Sequence, residues 1–116
     1  DRAAPVRRCR MTAALAYAPF PDRDSAREIA GTLLAERRIA CANILGAVES
    51  VFEWQGARAS EEEVGVLFKT TAAALPALIE RLGELHPYDT PAILGWHCDA
   101  GHPATLDWLG ATVASG

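Results

Sequence analysis

The stretch His86-Pro87-Tyr88-Asp89-Thr90-Pro91 brings an imidazole, a phenol and a carboxylate together around two prolines. A neutral imidazole is the commonest protein ligand for copper and zinc, so His86 can serve a metal. At a helix end the same ring can instead cap the last carbonyls, where the helix dipole favours it. Tyr88 can close a pocket or pack its ring with the hydroxyl at the surface, and packing is the expected use. Asp89 is expected as a turn residue. Three polar groups at one joint make this the leading candidate site, although no motif here specifies a reaction.

The other chemistry-bearing residues are more dispersed. Cys41 stands in an apolar β-type segment, where a thiol usually behaves as a small inert core residue. Lys69 lies within a strand pattern, free to pair across subunits or to project to solvent from the rim. His97, Cys98, Asp99 and His102 supply four possible ligands in a short span. Strand alternation sends His97 and Cys98 to opposite faces, however, so His102-Pro103 is expected to start a helix and not to complete a metal site. Glu61-Glu62-Glu63 reads as a solvated charge run.

Those residues need elements to position them. Ala13 and Ala14 continue into Leu15-Ala16-Tyr17-Ala18 as an apolar strand, ended by Pro19-Phe20-Pro21. A helix begins near Asp22 or Ser25, since Asp22 can cap and Ser25 with Glu28 has capping-box spacing. It continues with Ala26, Ile29, Ala30, Leu33 and Leu34 on one face. Residues Ile39 to Trp54 read as a strand bent or bulged at Gly46. Gln55 to Ser60 reads as a loop, and Glu61 to Thr71 as a third strand paired to the second as a hairpin. Helical spacing returns from Ala72 to Leu85, with Pro76 in the first turn. The two prolines of the joint then stop the helix and bias the chain to extended conformations. Ala92 to Cys98 reads as a fourth strand, and Pro103 to Val113 as a closing helix with Leu106, Trp108 and Leu109 inward.

The order βαββαβ plus a final helix implies an α+β, ferredoxin-like antiparallel sheet with both long helices on one face. Strands two and four are its edges. Val51, Trp54, Leu67 and Trp96 put more apolar area on the uncovered face than a monomer needs, which predicts association. Trp54, near the hairpin tip, is expected to pack against another subunit.

Composition limits the function classes. A chain of 116 residues, half apolar, suits one domain, expected over residues 11–116 behind a leader at 1–10. Arg2, Arg7, Arg8 and Arg10 before an Ala-rich run imitate a signal peptide. Its apolar part is short, though, and cleavage after Ala18 would remove the first strand, so Met11 is expected to open the fold. A net charge of -4 argues against nucleic acid or an anionic membrane surface as partner. No apolar run reaches the roughly 20 residues of a membrane helix. Three cysteines, Cys9, Cys41 and Cys98, suit reduced thiols in a cytoplasm better than a disulfide framework. The common nucleophile, metalloprotease and phosphate-loop motifs do not occur, so an enzyme is the least expected reading. One aromatic and one basic residue on strand three are too few for an RNA-recognition sheet.

Six blocks in order resemble the CutA divalent-cation tolerance family: Pro21-Asp22, Ala40-Cys41-Ala42-Asn43-Ile44, Phe52-Glu53-Trp54-Gln55-Gly56, Glu63-Val64 leading to Phe68-Lys69-Thr70, His86 to Pro91, and Leu106-Asp107-Trp108-Leu109. The resemblance covers Met11 to about Val113. It implies a ferredoxin-like subunit in a cytoplasmic homotrimer, a link to metal-ion tolerance and no established catalytic reaction. It also implies a possible divalent cation, Cu or Zn. Copper binding in a member of the family uses a first-strand cysteine and two adjacent histidines at the His-Pro joint. Here Ala18 and Leu85 occupy two of those positions, so only His86 carries over and weak binding is expected. Clefts between such subunits, with Cys41, Tyr88, Asp89 and Lys69 as candidate lining, also suit a small-molecule sensor of the PII type or a protein-interaction scaffold.

Overall fold

The computed structural model describes residues 12–115. The leader expected at 1–10, with Cys9, lies outside the described residues. The elements are β1 (Ala14–Phe20), α1 (Arg23–Ala35), β2 (Cys41–Trp54), β3 (Ala57–Thr70), α2 (Leu75–Leu85), β4 (Leu94–His97) and α3 (Pro103–Thr112). The strands form one sheet in the order β2-β3-β1-β4, every pair antiparallel, which is the expected ferredoxin-like arrangement with β2 and β4 at the edges.

Alternation on the central strands sets the two faces of the sheet. Ala14, Ala16, Ala18 and Phe20 of β1 and Val66 and Phe68 of β3 face the helices. They pack with Ile29 and Leu33 of α1 and Leu78 and Leu82 of α2. The alanines let the helices come close, while Phe20 meets Phe68 edge to face, ring centroids 6.1 Å apart. A smaller cluster of Ala13, Leu106 and Leu109 seats α3. Trp108, expected inward with those leucines, is 43% exposed, because the helical stripe runs through positions 106, 109 and 113.

Helix ends follow from local chemistry. Of the two possible starts for α1, Asp22 is the N-cap: its Oδ1 accepts the Ser25 N–H at 2.7 Å, and the Ser25 hydroxyl donates to the Asp22 carbonyl. At the other end Arg37 takes the left-handed φ of 58°, and the N–H groups of Arg37 and Arg38 donate to the carbonyls of Leu34 and Leu33. That is a Schellman closure made without glycine. Glu36, beside it, accepts from Arg38 and, bidentately, from Arg81 of α2, which ties the two helices together. These bonds, those from Arg81 foremost, hold its carboxyl down at about 2.

Four boundaries differ from the sequence reading. The loop expected at Gln55–Ser60 is a two-residue turn, Gln55-Gly56, both with positive φ, and the ladder resumes at Ala57 opposite Trp54. β1 runs through Pro19 and Phe20, with Pro19 opposite Gly65. β4 pairs only with Ala14 to Tyr17, so beyond Tyr17 one side of β1 has no strand beside it. The N and C=O of Pro19 point to that vacant side, and its missing N–H costs no ladder bond. β4 itself is four residues long, Leu94 to His97, and Cys98 just beyond it donates its N–H to Ala13. α2 starts at Leu75, three residues later than expected, with Pro76 in its first turn as expected.

The bulge expected at Gly46 is present: Ile44 pairs with Val66, Gly46 with Gly65, and Leu45 is left over. Gly46 has a φ of 106°, which favours glycine. The extra residue inverts the alternation of β2. Beyond it Val48, Ser50, Phe52 and Trp54 share the uncovered face with Glu63, Leu67 and Lys69 of β3. Val51, expected on that face with Trp54, therefore lies on the other side of the hairpin.

Phe68 is fully buried between sheet and helices. Phe68→Ala is expected to cost about 3–5 kcal/mol, measured as a lowered guanidinium unfolding midpoint at unchanged slope.

Candidate functional site

The joint after α2 is held by its own polar groups. The His86 backbone N–H closes the helix by donating to Leu82, at 2.9 Å. Its side chain does not cap helix carbonyls, as the sequence suggested. It reaches instead to β1, where Nε2 lies 2.8 Å from the Pro19 carbonyl oxygen that β4 leaves without a partner. Only a protonated Nε2 can donate to a carbonyl, so the ring is the Nε2–H tautomer. Nδ1 is then the acceptor for the Tyr88 backbone N–H, at 3.2 Å. The ring stacks on Phe20, centroids 4.6 Å apart, and Tyr88 packs against it at 4.8 Å. Both ring nitrogens of the imidazole, one as donor and one as acceptor, are thereby used inside one subunit. Burial pushes the His86 pKa down, and the Pro19 carbonyl and the negative charge of Glu63 oppose that only in part.

Tyr88 carries the chain of contacts on to β3. Its ring packs as expected, but its hydroxyl also donates to Glu63 Oε2 at 2.8 Å. Glu63 is 7% exposed, so the third glutamate of the run is not solvated as expected, whereas Glu61 and Glu62 are exposed. Burial first, and then the bond to Glu63, raise the Tyr88 pKa; the negative charges of Glu63, Glu61 and Asp22 add to it.

A cleft of about 590 Å³ opens between the β2–β3 hairpin and the His-Pro joint, its walls including Phe52, Trp54, Glu61, Glu63, Tyr88 and Asp89. The structure thus brings Trp54, Tyr88 and Asp89 together. His86 stands behind the wall and fixes it. Cys41 and Lys69 are elsewhere: they are directly paired across β2 and β3. Lys69 is six positions along β3 from Glu63, a separation of about 20 Å at the rise of a strand. Cys41 is half-buried on the uncovered face, not in the core, because Ala42 takes the inward position. Lys69 and Cys98 line a separate hollow of about 160 Å³ under α3. His102 is the N-cap of α3, accepting the Ala104 N–H on Nδ1. Among the described residues no three His, Cys, Asp or Glu side chains converge as a group able to hold a metal ion.

Phe52, Glu61 and Glu63 were not among the candidates from sequence. The signal was available in part, since residues 61, 63 and 65 alternate with the inward Val64 and Val66. The inversion at the bulge and the fold of the joint over Glu63 were not.

Residues 14–112 match the family model described as CutA1 divalent ion tolerance protein. The divalent-cation tolerance protein CutA of Pyrococcus horikoshii is 42% identical over 95 residues, 82% of this chain and 92% of that one. That of Thermus thermophilus is 42% identical over 89 residues, 77% of this chain and 86% of its own length. The crystal structure of CutA1 from P. horikoshii superposes with a TM-score of 0.83 at 38% identity, over 88% of this chain and 99% of that one. CutA from Synechococcus elongatus superposes with a TM-score of 0.87 at 29% identity, over 96% and 97%. With the family model matched over residues 14–112 and these relatives sharing sequence and fold, the chain belongs to the CutA divalent-cation tolerance family.

Proposed function

We propose that the chain works in divalent-cation tolerance as a non-enzymatic, cytoplasmic homotrimer that binds copper or zinc only weakly. The observation that carries the assembly is the uncovered sheet face. Trp54 and Trp96 are about half exposed there, Leu94 more so, and the edges β2 and β4 carry unpaired backbone groups. Three copies around an axis cover such a face and pair such edges, and a closed ring leaves no edge to propagate. Trp54 contributes to that interface from the hairpin.

Weak metal binding follows from the state of His86. A metal needs an imidazole lone pair, and here Nε2 serves Pro19 while Nδ1 serves Tyr88. Ligation requires breaking one of those bonds inside a packed wall. Ala18 and Leu85 add no ligand at the positions where the copper site of a member of the family has them. His86 is accordingly a pin that shapes the joint. The cleft it shapes favours a second reading, a trimeric small-molecule sensor, because its size falls within the roughly 300–1,000 Å³ of small-ligand sites.

Light scattering on the purified chain is expected to give the mass of a trimer, and a stable monomer would remove the association reading. Trp54→Ala is expected to raise the concentration needed for assembly while leaving the circular dichroism of the subunit intact. Titration with Cu(II) and Zn(II) is expected to show affinities weaker than about 1 μM. Submicromolar binding that His86→Ala abolishes would overturn the pin assignment.

His86 also sets a pH dependence. A histidine whose folded pKa lies below its ordinary 6.5 favours the fold fully above 6.5, and the advantage is lost as pH falls below that value, because the unfolded chain then binds a proton the folded one refuses. Thermal midpoints are expected to fall between pH 7.5 and 5.5, and less steeply in His86→Gln. Equal slopes in the two proteins would assign the dependence to other groups.

A further inference from the structure

We propose that Gly65 is a notch into which the Tyr17 ring is laid, and that this pair sets the contour of the uncovered sheet face on which a second copy of the chain packs. The inference rests on the reading of that face as the assembly surface and adds the residues that decide the fit.

Pairing places Tyr17 at the middle of the face. It lies on the central strand β1, opposite Leu67 of β3 on one side and Leu94 of β4 on the other, while Leu15 lies opposite Trp96. Directly opposed residues of antiparallel strands share a face, so these side chains form one apolar patch across three strands. Leu94 is 75% and Trp96 47% exposed, which leaves the patch open within one subunit.

Beside the patch the sheet carries little side chain. Gly65 is opposite Pro19 on β1 and Gly46 on β2, so a row of two glycines and a proline crosses three strands there. The Tyr17 ring leans along the strand into that row and buries Gly65, although Gly65 belongs to the uncovered face. A Cβ at residue 65 would stand 2.7 Å from the Tyr17 hydroxyl oxygen, and 3.2 and 3.3 Å from Cε1 and Cζ. Non-bonded carbons pack best at about 3.5–4.0 Å, so the ring cannot keep its place once that Cβ is present. The backbone does not ask for glycine here, since the glycines with positive φ among the described residues are Gly46 and Gly56. The ring above it does.

The group that must yield is the end of a side chain and not backbone. Leu67 and Leu94 flank the base of the ring, so its free direction is outward from the sheet. The core of Phe20, Val66 and Phe68 lies on the opposite face and is untouched. A larger residue at 65 therefore leaves the subunit folded and raises the middle of its assembly face. Interface cores are packed as densely as protein interiors and do not absorb a raised ring.

The test is light scattering over a dilution series of the full chain at one fixed, sub-denaturing guanidinium concentration, with far-UV circular dichroism as the check on the subunit. Gly65→Ala is expected to raise the concentration of half-assembly about tenfold or more with the dichroism unchanged. Tyr17→Phe removes the atom nearest to the added Cβ, so in that background the same Gly65→Ala substitution is expected to cost less. Tyr17→Ala leaves the row unfilled without touching the helix-side core, and is expected to weaken assembly as well. Unchanged assembly in Gly65→Ala or in Tyr17→Ala, or an equal loss from Gly65→Ala in both backgrounds, would overturn the inference. Loss of the dichroism in Gly65→Ala would overturn it too, by making the notch a requirement of the subunit fold. A wild-type trimer with any of these outcomes overturns this inference alone, whereas a wild-type monomer overturns the assembly reading and this inference with it.

Discussion

The hydrogen bond between His86 and the Pro19 carbonyl is the constraint from which the rest of the joint follows. β4 pairs with β1 only as far as Tyr17, so the carbonyl of Pro19 is left at a buried position with no strand to serve it. A buried backbone acceptor needs a partner. Proline is suited to that place because it has no N–H to strand there, and His86 supplies the one donor the place needs. Once Nε2 is committed, the tautomer is fixed and Nδ1 accepts from Tyr88. That bond sets the turn after Pro87 and brings the Tyr88 ring over Glu63. Helix, strand and cleft wall are thus joined through one imidazole. The same commitment sets it apart from a metal-ligating histidine, whose free nitrogen faces the ion.

The second constraint is the bulge. With perfect alternation along β2, Phe52 and Trp54 would follow Ala42 and Ile44 to the side where Val51 now lies, away from Glu63. The left-over Leu45 and the positive φ of Gly46 turn them to the uncovered face. A backbone irregularity nearer the sheet centre thereby decides which side chains meet the joint at the other end of the hairpin. Glu63, on the regular strand β3, needs no such correction.

Much of this was legible in the sequence where the signal was local and periodic. The two long helices, the strand order and the bulge at Gly46 follow from apolar spacing, caps and a glycine. The hairpin beyond Glu61 was not legible, because Arg58, Ala59 and Ser60 lie on a ribbon open to solvent and so carry no apolar alternation. Pro19 looked like a stop because the vacancy beside β1 depends on where β4 ends, far along the chain. Cys41 and Lys69, expected with Tyr88 and Asp89 around a cleft between subunits, are paired across β2 and β3 within the subunit, far along the sheet from Tyr88, a register that the sequence did not specify. Glu63 was read with its two neighbours as solvated. Its burial depends on Tyr88, and the position of Tyr88 depends on His86 and Pro19, contacts between residues 67 apart in sequence for the last pair.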